Sequence, residues 1–315
     1  MGFLSEAEPQ RGTSLNLLPG ISRVVARNPS VMTYWGTNTY LIDGADGLTI
    51  LDPGPDDDTH VADILRAAGD KPIARLLLTH THSDHLGATA KLRAATNVPV
   101  YAFHISPKAD FAPDIGLRDG EEVAGLKALH TPGHAADHLS FIYNVPGTGE
   151  ILFSGDHVMS WSSSIVSPPD GDMVAYYKSL QLLLERHEVL YLSGHGPMLA
   201  EPRKLVLELL SHRQKREATI LRALEGREFS VAELAEHLYA KTDYRLKIAA
   251  QRNVLAHLLK LAHEGRVIQL EESADEAASM AFVNDDLPPA DANTVKPAVV
   301  AMFMRDGARR FAVAA

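Results

Sequence analysis

The chain has no cysteine among its 315 residues, so disulfide bonds, thiolate metal sites and thiol nucleophiles are excluded. Aromatic residues make up only 6% of the sequence, and the net charge of −10 argues against a surface that is basic throughout and binds nucleic acid without specificity. No apolar run reaches the length of about 20 residues that a membrane span needs, and the N-terminus lacks the hydrophobic core of a signal peptide. We therefore expect a cytoplasmic protein with no membrane partner.

The remaining composition is that of a globular protein, with 45% hydrophobic and 22% charged residues. Strand and helix patterns alternate over the first two thirds of the chain, which predicts an α/β domain over residues 1–205. Predicted strands lie at 39–42, 48–51, 73–78, 98–102, 126–129, 139–143, 151–153 and 189–192, and predicted helices lie at 59–68, 86–95 and 172–187. Each strand is short and apolar, as expected for a sheet buried on both faces.

The pattern changes to helices after residue 201. Ser230 and Glu233 form a capping box that begins one helix, and a second helix at 246–263 ends at Gly265, before a short strand at 266–270. Helices followed by a terminal β-wing predict a winged-helix-like domain over residues 206–271. Residues 272–315 are predicted to be an acidic linker and tail, in which the apolar segments 298–304 and 310–313 are a candidate β-hairpin.

The sequence Thr79-His80-Thr81-His82-Ser83-Asp84-His85 follows the predicted strand at 73–78 directly. Three histidines and an aspartate within six positions are an unusual use of a strand end, and loops at strand ends gather metal ligands well. Three further candidates each lie next to a glycine, which lets the backbone turn tightly beneath an ion. The seven predicted ligands are His80, His82, Asp84, His85, His134, Asp156 and His195.

Imidazole and carboxylate ligands in this number suit two divalent metal ions, with zinc favoured and iron or manganese also tolerated. His80, His82 and His134 suit one ion, whereas Asp84, His85 and His195 suit the other. Asp156 is predicted to bridge the two. Paired ions can share a hydroxide at near-neutral pH, so the nucleophile requires no serine or cysteine, and Asp84 is predicted to orient it or accept its proton.

Five further residues are candidates at the edge of this site. Asp52 ends a predicted strand and either orients a ligand imidazole or initiates a turn, and His138 is a second candidate for an orienting role. Two loops rich in aromatic and hydroxyl side chains are predicted substrate lips, residues 32–38 and 159–171. The candidate substrate residues in them are Trp35, Trp161 and Ser163, although packing explains Trp161 equally well.

The ligand series resembles that of the metallo-β-lactamase superfamily over about residues 20–205. The resemblance implies a four-layer αβ/βα sandwich with two metals at one edge of the sheets. A bridging Asp156 is similar to the hydroxyacylglutathione hydrolase and ribonuclease branches, and the lack of cysteine excludes β-lactamases that use a cysteine ligand. Several motifs resemble the β-lactamase-like protein 2 group, which adds a C-terminal winged helix; they are Asn38-Thr39-Tyr40-Leu41, Thr131-Pro132-Gly133-His134, Phe153-Ser154-Gly155-Asp156, Gly194-His195-Gly196-Pro197 and Ser211-His212-Arg213.

These residues predict a dinuclear metal-dependent hydrolase that cleaves an ester, thioester or phosphodiester bond. The predicted substrate is a small-molecule ester or thioester, or a single-stranded nucleic acid. A homodimer is compatible with the sequence. One alternative is an endoribonuclease acting on single-stranded RNA, which the resemblance implies because an animal member of the group has that activity. A further alternative is a DNA-binding regulator with a ligand-sensing metal domain, for which Arg245, Lys247, Gln251, Arg252 and Asn253 are the candidate base contacts.

Overall fold

A computed structural model of the chain describes residues 2–241, 243, 246–270 and 305–314. The chain divides into two units, the first made of residues 1–164 and 169–210 and the second of residues 165–168 and 211–315. The predicted boundary at 205/206 therefore falls a few residues early. The short segment 165–168, predicted to belong to the first domain, is part of the second unit.

The first unit contains two mixed β-sheets. The larger sheet has seven strands in chain order, β1 (Leu15–Leu18), β2 (Ile21–Val25), β3 (Asn38–Gly44), β4 (Gly47–Leu51), β5 (Ile73–Leu77), β6 (Val100–Phe103) and β7 (Ile115–Leu117). Neighbours are antiparallel from β1 to β4 and parallel from β4 to β7. The predicted hairpin at 39–51 is thereby confirmed as β3 and β4. Strands β1 and β2 were not predicted, because runs of four and five residues are too short to show a period.

The second sheet has five strands in the order β12–β11–β10–β9–β8. Their bounds are β8 (Glu122–Val123), β9 (Leu126–His130), β10 (Leu139–Val145), β11 (Gly149–Gly155) and β12 (Leu190–Ser193). Only β11 and β12 pair in parallel. Side chains from both sheets form one buried core, in which Tyr40 packs edge-on against Phe153 with ring centroids 5.2 Å apart. This core fixes the two sheets face to face, so that their strand ends are held rigidly at one edge.

Four helices complete the first unit, α1 (Asp58–Ala68), α2 (Ser83–Leu86), α3 (Thr89–Thr96) and α4 (Met173–Leu184). Asp57 and Asp172 cap α1 and α4 by accepting hydrogen bonds from Thr59 N and Ala175 N. The outer face of the large sheet packs on α1 and α3 through a second buried core. The predicted helix at 86–95 is wrong in its bounds, because two separate helices cover this region. The first, α2, begins at Ser83 and so places Asp84 on a helical turn, and the second, α3, begins at Thr89.

The second unit is built on α5 (Pro202–Leu224), which begins in the first unit, and on α6 (Val231–Tyr239) and α7 (Lys247–His263). The predicted capping box is confirmed, because Ser230 Oγ accepts from Glu233 N and the Glu233 carboxylate accepts from Ser230 N. A three-stranded sheet in the order β13–β15–β14 covers these helices, with β13 (Phe229–Ser230), β14 (Val267–Gln269) and β15 (Arg310–Val313).

The central strand of this small sheet comes from the region predicted as a tail. β15 pairs with both β13 and β14, and Phe311 is fully buried in the core of the second unit. The prediction that 310–313 belongs to a separate tail is therefore wrong. Segment 298–304 lies outside the described residues. Strand β15 has only four residues, and its stability comes from pairing with β13 and β14 rather than from its own sequence. Composition alone therefore does not identify it as a strand.

His60 offers a test of how burial shapes stability in the first unit. Its side chain on α1 is fully buried with Nε2 2.8 Å from Thr39 Oγ1, and burial lowers its pKa to about 4 against the opposing effect of Asp57 and Asp63. The unfolded chain binds a proton below pH ~6.5 and the folded chain does not, so this site costs about 2–3 kcal/mol of stability at pH 4.5.

We expect His60→Gln to reduce the loss of unfolding free energy between pH 7.5 and pH 4.5. Urea unfolding in the presence of a chelator measures it without interference from bound metal. An unchanged pH dependence would show that His60 is not neutral in the folded state.

Candidate metal centre

The seven predicted ligands lie at the carboxyl ends of four strands. Residues 80–85 follow β5, His134 follows β9, Asp156 comes directly after β11, and His195 comes two residues after the end of β12. Gly194 N donates to Gly155 O, which holds the ends of the parallel pair β11 and β12 side by side. The sheet positions therefore bring together residues that are up to 115 positions apart in the chain.

Three histidines form the first ligand set. His82 Nδ1 lies 3.0 Å from His80 Nε2 and 2.9 Å from His134 Nε2, so three imidazole nitrogens converge on one point. His80 is buried, whereas His82 and His134 are partly exposed. A neutral imidazole presents one lone pair, and three converging lone pairs repel each other unless a cation or proton lies between them.

The second set consists of Asp84, His85 and His195. Asp84 Oδ2 lies 3.2 Å from His195 Nε2 and 3.7 Å from His85 Nε2. Asp156 reaches both sets, since its Oδ2 lies 3.3 Å from His195 Nε2 and 3.7 Å from His134 Nε2, while its Oδ1 lies 3.6 Å from His85 Nε2. One carboxylate therefore lies between two groups of nitrogen ligands.

The donor atoms of these sets fit divalent cations. His85 Nε2, His195 Nε2 and Asp156 Oδ1 are fully buried, yet none of them makes a hydrogen bond. Buried polar atoms without hydrogen bonds are costly, so three together indicate a ligand. A Cβ at Gly194 would collide with Asp156 Oδ1 and lie 2.7 Å from His85 Cε1, so glycine is required to leave this space. Their role as ligands stays a prediction.

The electrostatics of the site are those of a coupled cluster. Burial alone would lower the pKa of His85, but the carboxylates of Asp156 and Asp52 outweigh it and raise that pKa well above its usual value. Burial would lower the pKa of His195 too, but Asp156 and Asp84 raise it to about 9. Burial would raise the pKa of Asp156, but the imidazoles of His195 and His85 lower it well below normal. The carboxylates are therefore ionised and available to bind cations.

Comparison with known proteins gives a family for this arrangement. Residues 32–109 match the model of the metallo-β-lactamase superfamily, and residues 230–276 match that of the β-lactamase-associated winged helix domain. The β-lactamase-like protein 2 homolog of Drosophila melanogaster is 31% identical over 82% of this chain and 93% of its own length. The chain belongs to the metallo-β-lactamase superfamily.

Other relatives support the same assignment. The atrochrysone carboxyl ACP thioesterase of Passalora fulva is 32% identical over 80% of this chain and 78% of its own. Among solved structures, a metallo-β-lactamase family protein from Thermus thermophilus has a TM-score of 0.68 at 25% identity and covers 81% of this chain and 97% of its own. A β-lactamase domain protein from Burkholderia ambifaria has a TM-score of 0.75 at 20% identity over 98% and 96% of the two chains.

The predicted metallo-β-lactamase sandwich with a C-terminal winged helix is thus confirmed, and the chain is a hydrolase of this superfamily. Within the described ranges, no helix has both the length and the apolar character to cross a bilayer.

Asp52 contacts His85, one of the predicted ligands, at the ring nitrogen that faces away from the cluster. Its Oδ2 lies 2.9 Å from His85 Nδ1 and accepts from Thr79 Oγ1, while its Oδ1 accepts from Thr79 N. Asp52 has a φ of 53°, a conformation that few residues adopt and that is often found at functional sites. Because a carboxylate only accepts hydrogen bonds, His85 donates Nδ1–H to Asp52, and this contact directs Nε2 toward Asp84 and Asp156.

We expect Asp52→Asn to weaken metal binding at the Asp84, His85 and His195 set by roughly 10–100-fold. The asparagine keeps an oxygen for Thr79 N but turns an amide N–H toward His85 Nδ1, which favours the tautomer with a proton on Nε2. Competition with a chromogenic chelator measures the dissociation constants. Asp57→Asn, at the partly buried N-cap of α1, is the control, and equal affinities in the two variants would contradict this role for Asp52.

Two further residues, His138 and Asp170, form hydrogen bonds with the predicted ligands. His138 is fully buried, accepts a hydrogen bond from Asp156 N at its Nε2, and lies 2.9 Å from Thr131 Oγ1 at its Nδ1. Asp170 was not predicted, yet its Oδ2 lies 3.0 Å from His82 Nε2, and its Oδ1 accepts from Ala136 N. Its place in a Pro-Pro-Asp-Gly loop, 88 residues from His82, gave no sign of this contact.

The predicted substrate lips converge beside His195. Trp161 packs against Gly196, and its ring lies 5.1 Å from that of Tyr34, which in turn lies 5.5 Å from the ring of Trp35. Gly36 O lies 3.2 Å from His195 Nδ1, so the first lip also contacts a ligand. Ser163 is half-buried two residues after Trp161, and its carbonyl accepts from Ser162 Oγ at 3.4 Å.

The candidate base contacts on α7 are engaged inside the second unit. Arg252 is buried, donates to Ser167 Oγ and pairs with Asp306, and Asn253 Oδ1 accepts from Val166 N. Lys247 pairs with Glu236, Gln251 is half-buried, and Arg245 lies outside the described residues. A recognition helix needs exposed side chains to read bases, so this arrangement speaks against the regulator hypothesis.

Proposed function

We propose that the chain is a dinuclear metal-dependent thioesterase. The observation that carries the proposal is the position of Asp156, whose two carboxylate oxygens lie within 3.7 Å of ligand nitrogens from both sets. His80, His82, His134 and Asp156 would hold one ion, and Asp84, His85, His195 and Asp156 the other. When bound, two such ions supply an activated water near neutral pH and positive charge for the substrate's carbonyl oxygen.

The remaining groups of the chain bind and orient. Asp84 is the more exposed of the two ligand carboxylates, with 28% of its side chain accessible, and His195 and His85 keep it ionised by lowering its pKa despite partial burial. An ionised, accessible carboxylate beside the reacting centre can orient a water molecule and accept its proton. Asp52, His138 and Asp170 fix the orientation of the ligands around it.

Zinc is our proposal for both ions, because it accepts mixed imidazole and carboxylate ligands and keeps a coordination position open for catalysis; iron and manganese tolerate the same set. Elemental analysis of purified protein should find close to two ions per chain. A reproducible value near one would contradict the dinuclear site.

Two observations support a thioester over a phosphodiester substrate. The lips at residues 32–38 and 159–171 contain no lysine or arginine, which a groove for a polyanion needs. A relative that is 32% identical over 270 aligned residues is named as an atrochrysone carboxyl ACP thioesterase. Neither the ligands nor the fold distinguishes carbonyl from phosphorus centres, so the composition of the lips and the name of this relative decide the choice of substrate class.

A side-by-side assay tests it. The substrates are an acetyl thioester of N-acetylcysteamine, a lactone, a bis-aryl phosphodiester and a short single-stranded RNA, each with the parent protein and with Asp84→Asn. We expect the thioester to be cleaved with the highest kcat/KM, and Asp84→Asn to lower that value by about 100-fold or more. RNA cleavage that exceeds thioester cleavage and depends on Asp84 would overturn the proposal in favour of a nuclease.

A further inference from the structure

Exposed apolar side chains gather beside the ligand His195. Phe3, Leu4, Met32 and Met198 are 37%, 40%, 42% and 38% exposed, and what distinguishes them from other exposed apolar residues is their position near the two lips. Met32 lies two residues before Tyr34, and Met198 lies two residues after Gly196, against which Trp161 packs. With the half-buried rings of Tyr34, Trp35 and Trp161, these side chains form an apolar surface that we call the aromatic shelf.

The N-terminal segment is bound to this shelf through Glu6. Glu6 N donates to Tyr34 Oη at 2.8 Å, and Glu6 O accepts from Trp35 Nε1 at 3.1 Å. The Glu6 carboxylate forms a two-pronged ion pair with the buried guanidinium of Arg23, at 2.9 and 3.1 Å. Arg23 Nη1 also donates to Gly196 O, so the segment is connected to the residue that follows His195.

A second contact sets the position of the two apolar residues in this segment. Leu4 N donates to Ser160 O at 2.9 Å, directly before Trp161 in the chain. Phe3 and Leu4 thus lie next to the second lip but keep over a third of their surface in solvent. Hydrogen bonds hold the backbone of the segment in place, while more than a third of each apolar side chain stays exposed to solvent. Binding of an apolar ligand to such a surface is favourable, because it removes apolar area from water.

We propose that the N-terminal segment and the aromatic shelf together form the binding surface for the acyl chain of the substrate. The inference rests on the proposed thioesterase function and names its substrate class. Two features favour an acyl chain as occupant. The surface continues from His195 through Gly196, and the carboxylate of Glu6, the only acidic residue in segment 2–7, is neutralised by its ion pair with Arg23.

The first test is the dependence of kcat/KM on acyl length. Acetyl, butyryl, hexanoyl, octanoyl and decanoyl thioesters of N-acetylcysteamine are compared below their aggregation limits. Full burial of a methylene is worth roughly fourfold, so on a half-exposed surface we expect about twofold per methylene. A double variant, Phe3→Ser with Leu4→Ser, should lose most of this dependence, as should Glu6→Gln, which weakens the hold of Arg23 on the segment.

The matched control is Ile105→Ser, because Ile105 is 62% exposed and lies on a loop after β6, away from both lips in the chain. It should keep the full length dependence. If acetyl and decanoyl thioesters are cleaved equally well by the parent protein, the acyl surface does not exist although the thioesterase does. If the double variant and Ile105→Ser both retain the parent's length dependence, the N-terminal segment takes no part in binding.

A second test needs no turnover. Both tryptophans of the chain, Trp35 and Trp161, lie on the shelf, so intrinsic fluorescence reports on this surface. Titration with the unreactive decyl thioether of N-acetylcysteamine should change the emission saturably, with a dissociation constant several-fold weaker in the Phe3→Ser, Leu4→Ser variant. If the emission shows no saturable change, the proposed acyl surface is rejected, whether or not the protein cleaves thioesters. If the thioether binds but no thioester is cleaved, only the proposed function is rejected.

Discussion

Asp156→Asn is expected to abolish nearly all hydrolysis and to remove at least one metal ion per chain. The asparagine preserves the shape of the side chain but not its charge, and its amide nitrogen turns toward His195 or His85, which lie within 3.6 Å of the carboxylate. A loss of several kcal/mol of transition-state stabilisation corresponds to roughly a thousandfold in kcat. Elemental analysis and steady-state kinetics on the same preparation measure both effects.

Asp43→Asn is the control for this prediction, because Asp43 is an exposed carboxylate that pairs with Lys71. It should retain the parent's metal content and rate. A variant at Asp156 that keeps two ions and a tenth or more of the parent's kcat would show that the carboxylate does not lie between two ions, and the dinuclear proposal would fail.

Gly194→Ala is the second change with a large expected effect. The backbone of Gly194 lies outside the left-handed region, so an alanine is compatible with its conformation, but the added methyl group occupies the space beside Asp156 Oδ1 and His85 Cε1. We expect metal content to fall by about one ion and kcat/KM to fall by roughly a hundredfold or more, because ligands displaced by about 1 Å no longer converge.

Circular dichroism and thermal melting show whether the Gly194→Ala protein is folded. The comparison is Gly226→Ala, where the methyl group meets no atom within 4 Å although φ is +65°. That variant should lose a little stability and no metal. If Gly194→Ala binds two ions with the parent's affinity, the space next to this glycine is not part of the metal site.

The ligand cluster at residues 80–85 could be predicted because its spacing is local. Four ligand-type side chains within one short loop need no knowledge of the fold to be noticed. His134, Asp156 and His195 were predicted from their glycine-containing motifs and from the resemblance to the superfamily. The packing of the two sheets then explains why they meet, since β9, β11 and β12 end at one edge of the five-stranded sheet and β5 belongs to the seven-stranded sheet packed against it.

Contacts across the fold could not be predicted in this way. Asp170 contacts His82 across 88 positions, and Glu6 contacts Trp35 across 29 positions. Aspartate in a Pro-Gly loop and glutamate in an acidic N-terminus are both common at solvated surfaces, so their residue types carry no signal. The contacts of Asp170 with His82 and of Glu6 with Trp35 are visible only in the tertiary structure.

Strand β15 shows the same limit at the level of secondary structure. Residues 310–313 have no period long enough to distinguish a strand from a docked tail, and an acidic segment precedes them. They form the central strand because β13 and β14 each offer an unpaired edge, and the burial of Phe311 adds to that pairing.

The sequence by itself determined the donor chemistry, since the lack of cysteine leaves imidazole and carboxylate as the metal ligands and their spacing defines a superfamily. The tertiary structure decided which donor atoms converge, that Asp52 contacts His85 and Asp170 contacts His82, and that aromatic rings lie beside His195. Ligand type is a property of each residue alone, whereas convergence and orientation depend on strand ends that only a packed pair of sheets can align.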